Sequence, residues 1–473
     1  MVFAALYDFG LGSNVGADKL SRFFERLRID THIGISANSL RKVMRQMEHL
    51  LIEFQQNSEA QAVHESGKMR GITATADETF FGDLLMLVFM DLSSGYLLTE
   101  DIADNRCFDT WLQAVQPRLS SLNVEVEHLI TDRAKPLIKL ATDGLGCESG
   151  ADLFHAQQDL SKQLGRSLKR LSKQVNKQIK NAWDELGKLF QNTPDNPDID
   201  EQADKIKKLN QSKAWLKRDN KIYDTCIKTL SLMVHPFHIK TQQQQSSQDV
   251  ESILETEMDK LEQIENQQLP DNQNKASKKF RKQTSAIVKS IDVWWYFVLN
   301  SLSSLELSTE KQNWMLNCLL PTVYWHQQMN KTKTPKLREC YKVAWEQASN
   351  DCQQHPLTHH LTASELEKHL QWATWTVGHF HRSSSAIEGR NGTLSQMYHN
   401  RRGLTPSRLK ALTVLANYEQ RGLDGKTSAE RFFDTSFPDM FEWVLAQMPV
   451  LPLPRKRSKM RDCKSLNLQI VPP

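Results

Sequence analysis

The spacing of apolar residues predicts helices over the first sixty positions. Apolar side chains recur every three or four residues across 20–27 and again across 40–54, the pattern of amphipathic helices. Gly34 lies in the connector between them, and Ser36 stands where a helix N-cap belongs. This arrangement resembles a helix-turn-helix, although any helical hairpin gives the same pattern. Residues 1–60 are therefore a candidate DNA-binding segment with Ser36 and Arg41 as contacts, and its abrupt apolar start predicts that part of it lies upstream.

The apolar period changes to two between residues 70 and 156. Ile72, Ala74 and Ala76 alternate with polar neighbours, which predicts a strand that ends at Asp77. The unbroken apolar run at 84–90 predicts a second strand that is covered on both faces. A strand at 96–99, a helix at 108–119, a strand at 128–131, a helix at 136–142 and a strand at 151–154 follow. This is the order of a ribonuclease-H-like core, so we expect a mixed α+β fold built on such a sheet.

No strand pattern occurs from residue 157 to residue 378. This stretch contains long polar helical patterns and a tryptophan-rich segment at 287–330, and it is predicted to form one all-helical insertion domain. Helical spacing continues through 379–448, which is predicted to complete the core that 70–156 begins. The last segment, 449–473, combines prolines with a run of Lys and Arg and is predicted to be a flexible basic tail.

Composition narrows the class of protein only slightly. The chain has 473 residues, a net charge of +4 and seven scattered cysteines, which is usual in a reduced cytoplasmic protein. Its longest apolar run is strand-sized and its N-terminus has no secretion signal, so we expect no membrane partner. One of several basic stretches places Lys162, Arg166, Lys169, Arg170 and Lys173 at helical spacing. Such a stripe either keeps a helix soluble or follows DNA phosphates.

Three carboxylates stand where the predicted core brings chain segments together. Asp77 ends the first strand and Asp132 ends the fourth, and these strands are neighbours in a ribonuclease-H-like order. Glu388 lies in a helical segment that is rich in Ser and Gly, with Asn391 and Gly392 on its face. Converging carboxylates repel unless cations lie between them, and oxygen ligands suit Mg²⁺ or Mn²⁺. We therefore expect these three residues to bind two divalent ions, about 3.5–4 Å apart, that act on a phosphodiester.

Several residues close in sequence to the carboxylates are candidates to contact DNA. Cationic side chains could hold the flanking phosphates; the candidates are Arg133, Lys135, Arg390, Arg401 and Arg402, with Asn391 as a further contact. Gly389 and Gly392 each cost about 1 kcal/mol relative to Ala in a helix interior. Their presence is understandable if a strand or a DNA backbone approaches this helix closely.

The segments around the three carboxylates resemble the catalytic segments of DDE transposases from bacterial insertion sequences. The resemblance is carried by Asp77, by 131–141 around Asp132, by 382–392 around Glu388 and by 398–404 downstream. It also extends to 234–237 and 424–433, so it covers most of the chain.

This resemblance implies an activity and a site. Asp77, Asp132 and Glu388 would be the catalytic metal ligands of an enzyme that frees 3′-hydroxyls at transposon ends and joins them to target DNA. The resemblance further implies a bacterial, nucleoid-associated cytoplasmic protein that forms a homo-oligomer when the two ends are brought together. The helical insertion separates the second carboxylate from the third.

Two other functions fit the same residues. A metal-dependent nuclease on this core would hydrolyse nucleic acid without joining it to anything. A non-catalytic DNA-binding protein derived from a transposase would keep the fold, although the retention of all three carboxylates argues against it.

Overall fold

The computed structural model describes residues 1–192, 198–270, 275–383, 385–399, 404–422 and 424–451. It has the mixed α+β character that the sequence predicts, with helices surrounding one five-stranded sheet. None of the helices in these ranges is long and apolar enough to cross a lipid bilayer. The predicted basic tail lies outside the described residues from position 452 onward.

The sheet is formed by the segment in which the apolar period is two. Its strands are β1 (Arg70–Phe81), β2 (Leu84–Asp91), β3 (Leu97–Ala103), β4 (Val124–Thr131) and β5 (Glu148–Ala151). They lie side by side in the order β3-β2-β1-β4-β5. β2 is antiparallel to β1 and β3, whereas β4 is parallel to β1 and β5 is parallel to β4. Since Thr75 pairs with Ile130, the residues two positions further on, Asp77 and Asp132, reach the same level of the sheet.

Four of the strands differ from the prediction at a boundary. β1 does not end at Asp77 but continues to Phe81, because β2 pairs with it that far, and β3 continues to Ala103. β4 begins four residues earlier than expected, because Val124 and Val126 face the core while the Glu residues that follow each of them are exposed. β5 ends at Ala151 instead of beginning there. The reason is Asp152, whose carboxylate accepts backbone N–H groups from the first turn of the next helix. An N-cap of this kind starts a helix and so ends the strand.

The N-terminal segment is helical, as predicted. It contains α1 (Val2–Ala5), a π-helical turn (Leu6–Gly12), α2 (Ala17–Arg26), a 3₁₀ turn (Ile29–Thr31) and α3 (Ala37–Ser66). The Ser36 hydroxyl accepts the N–H of Ser39 at 3.2 Å, which confirms the predicted N-cap. Residues 27–36 separate α2 from α3, a longer connection than the roughly three or four residues of a helix-turn-helix. The helix α3 also packs into the core through Met47 and Phe54. DNA contact by this segment stays a prediction.

Helices make up the remainder of the described chain. They are α4 (Phe108–Leu122), α5 (Lys135–Lys139), α6 (Leu153–Leu160), α7 (Arg166–Asn192), α8 (Asp198–Met233), α9 (Ser247–Gln268), α10 (Ala276–Arg281), α11 (Thr284–Ser303), α12 (Thr309–Trp314), α13 (Leu320–Lys331), α14 (Pro335–Gln354), α15 (Pro356–His360), α16 (Ala363–Gly378), α17 (Ser385–Met397), α18 (Pro406–Tyr418), α19 (Ser428–Phe433) and α20 (Met440–Gln447). Further π-helical turns occur at Leu140–Gly144, Ser161–Gly165 and Met315–Leu319.

Buried apolar side chains form two main cores. The first joins the N-terminal helices, the sheet and the C-terminal helices, and Leu129 and Leu412 belong to it. The second lies among the helices from α6 to α16 and includes Leu261 and Trp294. The helices between β5 and α17 therefore have a core of their own. They can fold beside the sheet without interrupting the packing of α17 and the C-terminal helices against it.

This separation of cores is open to a direct test. Leu261 is fully buried, and we expect Leu261→Ala to lower the free energy of unfolding of its core by about 2–5 kcal/mol. Leu299→Ala, at a position that is 54% exposed, should have little effect. Amide hydrogen exchange measures both variants, and in Leu261→Ala the protection of α9 and α11 should fall more than that of β1 and β4. Equal loss in both regions would contradict the existence of separate cores.

Candidate active site

Two parallel strands, β1 and β4, form the base of the site at the level where their pairing ends. Asp77 lies on β1, half-buried, and Asp132 directly follows β4. The Asp132 carboxylate accepts the N–H of Ala134 at 2.9 Å. Arg133 adopts a left-handed backbone conformation with φ of 64°, which is uncommon outside glycine and marks a constrained turn. This turn leaves Asp132 exposed at the carboxyl end of β4.

The helix α17 brings Glu388 to the same place. It packs beside β1, and the Asn391 side chain on it donates a hydrogen bond from Nδ2 to Oδ2 of Asp77 at 3.0 Å. Glu388 and Asp132 both act on Asp77 through their charges. The structure thus brings together the three carboxylates that the sequence singles out, and it gives Asn391, a predicted DNA contact, a partner within the site.

A buried ion pair fixes α17 on the sheet. Arg390 donates from Nε and Nη2 to the Glu100 carboxylate on β3, at 2.8 and 2.6 Å. Thr413 on α18 donates to the same carboxylate at 2.6 Å. Arg390 is only 9% exposed, so the prediction that it holds a DNA phosphate is corrected: its guanidinium is already paired in the core.

The segment that precedes α17 is also anchored. The Arg382 guanidinium donates to the carbonyl oxygens of Ser231 and Val234 at 2.8 and 3.0 Å and to the Tyr341 hydroxyl at 3.1 Å. The Arg382 carbonyl accepts the N–H of Leu153. These contacts tie the returning chain to the end of α8 and to the start of α6, just before it reaches Glu388.

Two residues of the site were not predicted from the sequence. The Asp152 carboxylate is fully buried and lies 3.0 Å from Nδ1 of His155, whose Nε2 is 3.4 Å from Oε1 of Glu388. The predicted strand at 151–154 included Asp152, whereas in the structure Asp152 caps a helix that begins at Leu153 and that holds His155 between Asp152 and Glu388. An Asp directly after a strand, with a His three residues later, is the signal that could have revealed them.

The environment changes the protonation of His155 and Asp77. The hydrogen bond with Asp152 raises the pKa of His155 to about 9 against the effect of burial, and the charges of Asp152, Asp77 and Glu388 raise it further. Burial raises the pKa of Asp77 to about 6; His155 lowers it, whereas Glu388 and Asp132 raise it. The protonated imidazole therefore offsets part of the repulsion among the carboxylates.

The residues fit a divalent cation by their chemistry. Among the described residues, no group of three or more His, Cys, Asp or Glu side chains is arranged to hold a metal ion, and Glu388 is directed at His155 instead. The donor atoms are nevertheless carboxylate oxygens, which suit Mg²⁺ or Mn²⁺. The amide oxygen of Asn391 is also buried without a hydrogen-bond partner among the described atoms. Asp77, Asp132 and Glu388 are thus suitable ligands once Glu388 turns away from His155.

One side of α17 is open beside the carboxylates. A Cβ atom built on Gly389 or Gly392 would meet no described atom within 4 Å. A close approach of a strand to these glycines, one of the two explanations that the sequence offers for them, is therefore not found in the described part of the chain. The space beside these two glycines is open in the described part of the chain.

The other predicted DNA contacts are distributed over several surfaces. Lys135 begins α5 and is exposed near Asp132, and Arg133 donates to the Ser149 carbonyl at 3.3 Å. Arg41 pairs with Asp18 on the N-terminal helices at 2.6 Å, and Ser36 serves as the N-cap there. Arg401 and Arg402 lie outside the described residues. Contact of these residues with DNA stays a prediction.

Comparison with known proteins gives one family match. DUF6399, described as a family of unknown function, matches residues 315–460. The matched range includes α17 with Glu388 and Asn391, together with α18–α20, but not Asp77 or Asp132. No curated protein matches the chain. The match assigns no activity to the chain.

The first prediction for the site concerns His155. In metal-free protein, Asp152→Asn removes the main cause of the raised pKa, so the His155 pKa should fall from about 9 toward 6.5. Because the folded-state pKa is the higher one, the stabilisation from His155 is complete below about pH 6.5 and is lost as the pH rises through about 9. NMR titration of labelled histidines measures the shift. Asp159→Asn, which removes a carboxylate of the same helix that pairs with Lys279, is the control, and equal pKa values in both variants would contradict the assignment.

The second prediction concerns Asp77. Its raised pKa means that the ionised carboxylate destabilises the folded protein as the pH rises from 3.8 through about 6. In the presence of a chelator at pH 8, Asp77→Asn should therefore raise Tm, and the gain should vanish near pH 4. Adding Mg²⁺ should stabilise the wild type more than the variant. Thermal unfolding tests this, with Asp83→Asn in the nearby β-turn as the control; a lower Tm for Asp77→Asn at pH 8 would contradict it.

Proposed function

We propose that this chain is a DNA transposase of the DDE type, built on a ribonuclease-H-like core. It cleaves phosphodiester bonds at transposon ends and joins the resulting 3′-hydroxyls to target DNA. The sheet order supports the proposal: three antiparallel strands are followed by two parallel strands with helices between them. That is the arrangement in which the first and fourth strands are neighbours, as the proposed core requires.

The observation that carries the proposal is the convergence of three carboxylates from distant parts of the chain. Asp77 is half-buried, and both Asp132 and Glu388 raise its pKa. Repulsion within such a cluster destabilises the folded protein as long as no cation lies between the carboxylates. Perturbed pKa values of this kind are found most often at functional sites. A site for divalent cations is the simplest function for such a cluster. By contrast, the buried carboxylate of Glu100 is paired with a single cation, Arg390.

The residues of the site have separable roles in this chemistry. When bound, a pair of Mg²⁺ or Mn²⁺ ions activates the attacking oxygen and stabilises the leaving 3′-oxygen. Asp77, Asp132 and Glu388 would hold them. Asn391 orients Asp77 through its hydrogen bond, and Asp152 orients His155. His155, as an imidazolium, would offset the charge of Glu388 while no cation is bound, and would donate to a phosphate oxygen of the substrate once Glu388 binds a cation.

DNA can approach this site from the open side of α17. Gly389 and Gly392 leave space there. Each lowers helix stability by about 1 kcal/mol relative to Ala, which is understandable if DNA approaches the helix at these positions. Lys135, exposed beside Asp132, is suitably placed for a phosphate next to the reacting one. We also expect two or more copies of the chain to act together when both transposon ends are held.

The decisive experiment compares variants on the transposon-end DNA that flanks the gene. With Mg²⁺, Asp77→Asn, Asp132→Asn and Glu388→Gln should each abolish end cleavage, because each removes a ligand, while DNA binding changes little. Glu125→Gln, which removes an exposed charge from β4, is the matched control and should cleave normally. Near-normal cleavage by any of the three site variants would remove that residue from the ligand set.

The same reaction separates the alternative functions. A transposase joins the cleaved ends to a target plasmid, which gives strand-transfer products on a gel. Cleavage without such products would indicate a metal-dependent nuclease. DNA binding without any cleavage would indicate a non-catalytic protein derived from a transposase.

A further inference from the structure

Helices α7 and α8 form a long antiparallel pair, here called the arm. Their register is set by hydrogen bonds from Asn220 to Ser172 and from Gln202 to the Ala182 carbonyl, at 3.1 and 3.0 Å. Near its base the arm contributes to the core of the insertion, through Leu168 and Leu216 among others. Further out it buries only a small cluster of its own: Ala182, Leu186 and Ile206. Apart from such seam positions, α7 is exposed from residue 173 to residue 191.

One side of α7 is uniformly cationic. The basic face consists of Arg166, Lys169, Arg170, Lys173, Lys177 and Lys180, all exposed. At 3.6 residues per turn they fall within about 100° of arc, on the side opposite the seam, and span about 21 Å along the helix. The helix has no acidic residue before Asp184, so no carboxylate of α7 interrupts this face.

The basic face contains no ion pair among the residues that the structure describes. Several surface cations elsewhere on the insertion stand beside carboxylates: Lys279 with Asp159, Arg281 with Glu255, and Lys311 with Glu365. In the described part of the chain, none of the six cations of the basic face lies within ion-pair distance of a carboxylate. Like charges four residues apart destabilise a helix, and mixed charges would give equal solubility. An external polyanion would remove this repulsion.

We propose that the basic face of the arm binds the phosphate backbone of duplex DNA beside the cleaved bond. Double-stranded DNA carries one negative charge per about 1.7 Å of its axis, so a straight row of cations about 21 Å long meets a regular row of phosphates. The identity of this DNA as the substrate's flank rests on the proposed function. Binding to duplex DNA as such does not, because it requires neither metal nor a specific sequence.

The test is the salt dependence of binding to a fluorescein-labelled duplex of random sequence, measured by anisotropy with a chelator present. The arm variant carries Lys173→Gln, Lys177→Gln and Lys180→Gln, which change exposed positions and retain good helix formers. The control variant carries Lys333→Gln, Lys336→Gln and Lys368→Gln, three exposed cations of the insertion with the same loss of charge. Circular dichroism verifies that both variants are folded.

Each neutralised phosphate contributes about 0.9 to the slope of log K against log salt. The arm variant should therefore flatten the slope by about two to three units, and the control variant should leave it nearly unchanged. Equal slopes in wild type and arm variant, or equal flattening in both variants, would overturn the proposal. Flattening with single-stranded RNA but not with duplex DNA would also overturn it. Since this binding assay contains neither a divalent cation nor a transposon end, failure of the proposed activity and failure of this proposal are distinguishable.

Discussion

The buried ion pair between Arg390 and Glu100 is the contact on which the site depends. More than two hundred residues separate β5 from α17. To bring Glu388 to the site, α17 has to be fixed both in its rotation about its own axis and in its position along the sheet. The two-point hydrogen bonding of a guanidinium to a carboxylate, in a buried position, defines both. Removing one partner of such a pair leaves an uncompensated charge, at a cost of about 3–5 kcal/mol. Glu388 and Asn391 then lie beside Asp77 because they share a helix with Arg390.

The electrostatics of the site follow from this placement. Three carboxylates come together where only one cationic side chain, His155, is seen to contact them in the described structure. The imidazolium depends in turn on Asp152, which is buried and also caps α6. Asp152 therefore both caps α6 and raises the pKa of His155. A divalent cation would take over the role of His155, so the site is suited to a state in which Glu388 changes partner.

Several parts of this arrangement could be predicted from the sequence, for identifiable reasons. Alternating apolar residues fix β1, and a continuous apolar run fixes β2, because strand burial depends on local pattern. The convergence of Asp77 and Asp132 follows from strand order. The positions of His155 and Arg390 could not be predicted: the first depends on where β5 ends, and the second on which surface of α17 meets β3. Those are properties of packing between distant segments. The Asp and His at 152 and 155 become informative only once the end of β5 is known.

The measurement closest to the central claim is anomalous scattering from crystals soaked in Mn²⁺. The account predicts two peaks about 3.5–4 Å apart, coordinated by Asp77, Asp132 and Glu388, with the Glu388 carboxylate turned away from His155. Crystals of Asp132→Asn treated in the same way should lose at least one peak. The absence of any peak among these carboxylates at saturating Mn²⁺, or peaks found only elsewhere on the molecule, would contradict the account.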